Sequence, residues 1–276
     1  MNPSDVEAAV CRSVSASIIG TAFAMRAPLR TYKLDPIIPN WRLISQTEGE
    51  KSPAIGIKSL PDLQAGLTLT PPSIPITFKC APNPFAEGSE CIVYHGYDLT
   101  SKRAIALKRY KRVGAQFNSP ACYMYKIKVR AICTTYATLF NDKTKPPGSA
   151  RLEVTPVDVV SCPGQDHYLL ETFLDGKVEK YSNNAGVVCS ESPHSELLQS
   201  FSHFTWVVSR KSLVICDLQG IESGSYCVTL IDPAINSLSA GFYGQTDLGR
   251  KGIERFFETH QCGTVCRAMG LSGQLL

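Results

Sequence analysis

No stretch of this 276-residue chain reaches the about 18 consecutive apolar residues that a membrane-crossing helix requires. A strong charge of one sign is also missing. The 28 Lys and Arg stand against 24 Asp and Glu, a formal net charge of +4. Nucleic-acid modules usually carry a heavier basic footprint, so neither a membrane nor a nucleic acid is an expected partner. There is no internal repeat and no bias of the collagen or coiled-coil kind. The longest weakly apolar segment, Val14 to Met25, lies between Arg12 and Arg26. Asp5 and Glu7 before it, and Ser15, Ser17 and Thr21 within it, argue for a short, weakly helical extension rather than a signal-peptide core.

Apolar residues make up 43% of the chain, enough to exclude wholesale disorder and to build a sizeable core. Eleven cysteines are an odd number, so complete intramolecular pairing is impossible. Most sit singly in apolar strings, such as Cys216 after Leu213-Val214-Ile215 and Cys227 before Val228. A reduced thiol behaves there as a small hydrophobe. This usage points to a reducing compartment, with an intracellular, cytoplasmic location as the expectation. Cys262 and Cys266 alone lie close together beside a histidine.

Proline divides the chain, with eleven of the 18 before residue 85. Each removes a donor and fixes φ, so residues 35–75 are expected to hold turns and short extended pieces. The expected organisation is a weakly ordered Pro-rich extension over 1–73 and a compact domain over 74–276. Within the latter, Ile92–Tyr97 and Ala104–Lys108 read as a hairpin around Asp98–Lys102, and Tyr123–Asn141 reads as a helix. Val154–Val160, Tyr168–Phe173, Leu213–Leu218 and Tyr226–Ile231 read as strands, and Leu197–His203 as a helix. The last helix spans about Leu248–His260, with Ile253, Phe256, Phe257 and His260 on one face and Asp247 as its N-cap. Strands, helix, strands, then helix is an α+β order rather than an alternating βαβ one.

Four constellations could carry chemistry. His260-x-Cys262-x₃-Cys266 places three soft ligands at one helix end. Tetrahedral zinc needs a fourth, with His203 as the first candidate and His95, His167, His194 or another Cys as competitors. Asp217 and Gln219, in Asp217-Leu218-Gln219-Gly220, offer two oxygen ligands of the kind Mg²⁺ prefers, and Asp232 ends the following apolar run. Two acids at strand ends suit metal-assisted phosphoryl transfer. Lys108 ends an apolar strand, where it can snorkel outward or neutralise phosphates, and Pro84–Ser89 could cover those phosphates. That stretch is neither a Walker A loop nor a G-x-G-x-x-G. Finally, Leu169–Phe173 runs into Leu174-Asp175-Gly176-Lys177, a candidate hinge between lobes.

Taken together, these pieces resemble the alpha-kinase family, the atypical Ser/Thr protein kinases that include the myosin heavy chain and elongation factor 2 kinases. Pro84-Phe85 with Glu87-Gly88 resembles the N-lobe loop of that family, and Ala106-Leu107-Lys108 its nucleotide-binding strand. Glu171 with Lys180-Tyr181-Ser182-Asn183-Asn184 resembles the hinge and the segment after it. Phe201–Thr205, Asp217–Gly220, Asp232-Pro233 and the Leu248–Cys266 signature complete the order. The resemblance implies a two-lobed, kinase-like α+β fold, with a strand-rich N-lobe over about 74–172 and a zinc-stabilised C-lobe over about 173–276. It implies an ATP-dependent protein serine/threonine kinase acting on a protein substrate. Lys108, Glu171, Phe85 and Gly88 would bind ATP, Asp217 and Gln219 would hold Mg²⁺, and Asp232 would orient or activate the acceptor hydroxyl. His203, His260, Cys262 and Cys266 would hold a structural zinc.

Three departures stand out. Cys91 occupies a position where the family often has Arg, so one phosphate contact is expected to be missing. This departure supports an alternative, a zinc-stabilised pseudokinase that binds a nucleotide or a protein. Gly263 replaces the usual Asn after Cys262, so an altered turn with zinc retained is expected. Asp217 and Asp232 are more widely spaced than usual, and the excess is expected in a Glu222–Ser225 loop.

Overall fold

The computed structural model describes residues 27–64, 71–114, 117–144, 150–164, 166–224 and 226–271. The weakly helical segment expected at Val14–Met25 and the break expected at Pro146–Gly148 lie outside them. None of the described helices is long and apolar enough to cross a membrane.

Six antiparallel strands close into a barrel in the order β1-β2-β3-β4-β7-β6. They are β1 (Gln46–Ser52), β2 (Ile74–Glu87), β3 (Cys91–Asp98), β4 (Arg103–Tyr110), β6 (Asp158–Ser161) and β7 (His167–Thr172). A short helix, α1 (Leu60–Gln64), lies between β1 and β2 in sequence. The β3–β4 hairpin turns where expected, because the Asp98 carboxylate accepts bonds from the backbone N–H of Thr100 and Ser101. Strand alternation then sorts the side chains. Phe78, Ile92, Ile105, Leu107 and Leu170 fill the barrel, while Val159, Leu169 and Tyr110 face a second cluster with the long helix α2 (Pro120–Lys143).

β1 corrects the expected boundary at Ile74, since residues 46–52 bridge β2 and β6 and close the barrel. The proline count misled here because prolines enter the barrel itself. Pro82 and Pro84 lie in β2 at register shifts, where a missing N–H costs no ladder bond.

Helix α2 is apolar on more than one side because it is buried twice. Tyr123, Ile127 and Ala131 pack on the barrel, whereas Val129, Cys133, Tyr136 and Phe140 enter the largest core. That core also holds strands of a mixed sheet, β5-β11-β10-β8. These are β5 (Arg151–Val154), β8 (Glu179–Lys180), β10 (Gln219–Ser223) and β11 (Cys227–Ile231). A two-stranded sheet pairs β9 (Leu213–Cys216) with β12 (Ala234–Ser237). Around them lie α3 (Ser195–Val208), α4 (Arg250–Thr259) and the one-turn helix α5 (Thr264–Ala268).

Other expectations need correction too. Val154–Val160 is not one strand: the chain leaves β5, crosses at Thr155-Pro156-Val157 and enters β6 in the barrel. Proline lies at the crossing, where neither ladder needs a donor. Glu222 and Ser223 are not loop but the end of β10. Asp247 does not cap α4, whose N-cap is Gly249. The Asp247 carboxylate instead accepts from Ser237 N, Ser237 Oγ, Tyr243 N and Gly249 N, tying the β12 exit to the helix entry.

Candidate active site

A cleft of ≈ 590 Å³, open to solvent, lies where the barrel meets the mixed sheet, and Gly88, Lys108, Asp217, Gln219 and Asp232 line it. Alternation sets its floor. Lys108 on β4 and Glu171 on β7 share the barrel face turned toward α2, where their charges meet at 2.8 Å. Arg130 reaches in from α2, 2.8 Å from Glu171 and 2.9 Å from Asp232, and donates to the Thr155 carbonyl at 2.8 Å. Lys108 closes the ring on Asp232 at 2.5 Å. The ring therefore alternates two cations with two anions, and Lys108, Arg130 and Glu171 are all buried.

Burial alone would raise the carboxyl pKa of Asp232, but Lys108 and then Arg130 hold it well below the usual carboxylate range. Burial opposes the Lys108 charge, and Asp232 and Glu171 outweigh it, so its ammonium is held on. Asp232 thus stays ionised while 36% of its side chain faces solvent. Each of its oxygens is engaged by one cation, which leaves lone pairs for a further donor.

Asp217 and Gln219 come from the opposite wall. Lys180 Nζ lies 2.9 Å from Asp217 Oδ1. The segment after Lys180 anchors this wall: Tyr181 N and Ser182 N donate to the Leu218 carbonyl, and Leu218 N donates to Ser182 Oγ. Asp217 and Asp232 have φ of 56° and 47°, left-handed values uncommon for residues other than glycine. The β10–β11 hairpin brings the two acids together. Gln219 pairs with Ile231 at its open end, so added residues lengthen both strands without separating Asp217 from Asp232. Gly220 is required by this pairing, since a Cβ there would sit 2.1 Å from the Thr229 carbonyl oxygen.

The remaining expected ligand-binding residues are divided. Gly88 lines the cleft, and its N–H donates to the Cys91 carbonyl in a tight turn. Phe85 belongs to β2, not to a loop, and stacks on His95 at 4.0 Å between centroids, with Phe173 edge-on to it. The Glu171 carboxylate is committed to Lys108 and Arg130. Sequence reasoning missed Arg130, Lys126 and Glu90. A signal existed in Arg130, a cation among apolar neighbours of a helix, but only a partner from another element makes it legible.

A second cluster gathers His203 Nδ1 of α3, His260 Nε2 after α4, Cys262 Sγ, and Cys266 Sγ of α5, all within 4.8 Å of one another. The two nitrogens are 3.1 Å apart, and all four nitrogen–sulfur separations are 3.6 Å. A tetrahedron with metal–nitrogen bonds of about 2.0–2.1 Å and metal–sulfur bonds of about 2.3 Å has nitrogen–sulfur edges near 3.6 Å. The donor set and its spacing therefore fit a four-coordinate zinc. Burial, then the neighbouring His203, pushes the His260 pKa down to about 4, which favours the neutral ring a metal needs. His95, His167 and His194 lie outside this cluster. At Gly263 a Cβ would come within 2.4 Å of Glu196, whose carboxylate accepts from Thr264 Oγ1 and Val265 N. Glu196 holds the turn from outside, and Gly263 gives it room.

A profile of the alpha-kinase family matches residues 86–266. Alpha-protein kinase vwkA of Dictyostelium discoideum is 32% identical over 204 residues, covering 72% of this chain and 32% of that protein. Myosin heavy chain kinase B of the same organism is 31% identical over 194 residues, covering 70% and 25%. This chain thus spans about a third or less of the length of these curated relatives. Among solved structures, an alpha kinase from Entamoeba histolytica superposes with a TM-score of 0.69 at 25% identity, over 84% of this chain and 94% of that one. The alpha-kinase domain of myosin-II heavy chain kinase A in complex with AMP-PNP gives a TM-score of 0.68 at 23% identity, covering 84% and 97%, a likeness of fold. On the family match, the relatives and the fold they share, this chain belongs to the alpha-kinase family.

Proposed function

We propose that this chain is an ATP-dependent protein kinase that transfers the γ-phosphate of Mg-ATP to a Ser or Thr hydroxyl of a protein substrate. The observation that carries this reading is the Lys108–Glu171–Arg130–Asp232 ring at the floor of a cleft whose far wall presents Asp217 and Gln219. Phosphoryl transfer depends mainly on positioning and electrostatics, and a rigid ring of this kind supplies both. The barrel and the 217–232 wall correspond to N- and C-lobes, with the 173–178 link as hinge.

Lys108 would bind nucleotide phosphates, held in place by Glu171. Glycine at 88 supports a close approach of phosphate to backbone, because the protein itself leaves room there: a Cβ would meet only Cys91 O, at 3.9 Å. Asp217 and Gln219 are hard oxygen donors that fit Mg²⁺, which when bound neutralises charge on phosphate oxygens. Asp232, kept ionised by its two cations, would accept a hydrogen bond from the acceptor hydroxyl and aim its oxygen in line with the phosphate. A carboxylate with so low a pKa is a weak base, so its role is chiefly orientation. His203, His260, Cys262 and Cys266 would hold a zinc with no open position, hence a structural one.

The pseudokinase alternative is not favoured, since every charge this chemistry calls on is present in the cleft. Incorporation of labelled phosphate from ATP into a protein acceptor tests the reading. Wild type should show Mg²⁺-dependent transfer, and Asp232→Ala should lose at least about 100-fold while remaining folded. Equal transfer by the variant would refute the assignment.

A further inference from the structure

The cations of the cleft are not equally available. Lys108 already serves two carboxylates, and Arg130 serves the same two. Lys180 is paired with Asp217. Lys126 differs. It lies one turn before Arg130 on α2, lines the cleft, and is held by Glu90, 2.5 Å away in the turn between β2 and β3. Its ammonium also lies 5.3 Å from the centre of the Tyr125 ring. The neighbour of Glu90 is Cys91, whose thiol burial pushes up to about 12, so it adds no charge to the cleft. The other Glu90 oxygen, Oε1, is buried without a hydrogen-bond partner among the described residues. The pair is therefore poorly satisfied on its acidic side, and a better anion could displace it.

We infer that Lys126 is a phosphate-binding residue of the cleft, and that Glu90 is a placeholder exchanged for nucleotide phosphate. The inference rests on the kinase reading of this cleft. On entry of the nucleotide, Lys126 keeps its place on α2 and trades a carboxylate oxygen for a phosphate oxygen. Glu90, relieved of Lys126, swings toward solvent with its turn. The cation thus comes from the helix that also carries Arg130, coupling phosphate binding to the charged ring.

The test uses calorimetric titration of the full chain with ATP and, separately, with adenosine. Lys126→Ala should weaken ATP binding about tenfold, the size of one charge-assisted contact, and leave adenosine unchanged. Glu90→Gln should tighten ATP binding several-fold, because it removes a competitor and a like charge. Lys126→Arg should retain most of the affinity. A merely structural ion pair predicts that Lys126→Ala and Glu90→Gln move ATP and adenosine binding in the same direction, and that result overturns the inference. No effect of Lys126→Ala on ATP binding does so as well. If wild type binds adenosine and ATP equally or neither at all, the kinase reading itself fails, a distinct outcome.

Discussion

Arg130 is a buried cation that both carboxylates of the ring, buried Glu171 and partly exposed Asp232, share with Lys108. Removing one partner from a buried charge network leaves excess charge desolvated, and without Arg130 two carboxylates would share Lys108 alone. Arg130→Leu should therefore destabilise the protein by about 3 kcal/mol in urea unfolding, well beyond the loss of its packing. A change within experimental error would show that the ring is held by other contacts. Asp232 makes a pH prediction of definite sign. Its folded pKa lies below the unfolded value of about 3.9, so its contribution to stability is present above that value. It is lost as pH falls below about 4, where the unfolded chain binds a proton that the folded chain refuses. Unfolding measured at pH 5 and at pH 3.5 should show a larger drop for wild type than for Asp232→Asn. At this scale the sequence singled out Lys108, Asp217 and Asp232, which line the cleft, because each follows an apolar run. It hid Arg130 and Lys126, because helical periodicity records which residues are apolar and not which charge a distant strand will offer.

Elements decide how closely these residues meet. The β10–β11 hairpin carries Gln219 at one end and Asp232 just past the other, and Gly220 sets the strand separation. Gly220→Ala forces a Cβ onto the Thr229 carbonyl, so a loss of about 2 kcal/mol and weaker nucleotide binding are expected by denaturation and titration. Full stability in that variant would show that β11 can yield. The His/Cys cluster joins α3 and α5 to the end of α4. Metal analysis should find about one zinc per chain, and Cys266→Ser should lower it where Cys216→Ser does not. Chelation should loosen α4 and α5 before the barrel, as read by hydrogen exchange. Protein that is metal-free and equally protected would remove the zinc reading. The element readings that failed share one cause. A run of β-branched residues marks a strand without marking which sheet it joins, so the passage from β5 to β6 looked continuous.

For the whole molecule, the barrel makes closure the controlling feature. A barrel has no edges only while every strand is present, and β1 supplies the seam between β2 and β6. A chain begun at Ile74 should expose both edges and fail to yield soluble folded protein, whereas one begun at Ala27 keeps the seam. Size-exclusion profiles of the two would decide it, and a monodisperse folded product from Ile74 would mean that the barrel tolerates opening. Lobe coupling belongs to this scale as well. Helix α2 packs on the barrel with one face and in the larger core with another, so its cationic side is fixed relative to both walls of the cleft.

The amino-acid order by itself determined the class of the fold, the hairpin at Asp98, the long helix, and the close spacing of three soft side chains at His260, Cys262 and Cys266. These rest on local rules: period-two and helical alternation, turn chemistry, and soft ligands at short spacing. Only the tertiary structure decided that β1 closes the barrel, that Glu171 spends its carboxylate on Lys108 and Arg130, and that Lys126 faces the cleft on the arm of Glu90. Those outcomes depend on which faces meet across long stretches of chain, for instance the 36 residues between Glu90 and Lys126 and the 102 between Arg130 and Asp232. Pairing at that range is set by packing and charge complementarity in three dimensions, which no local pattern encodes.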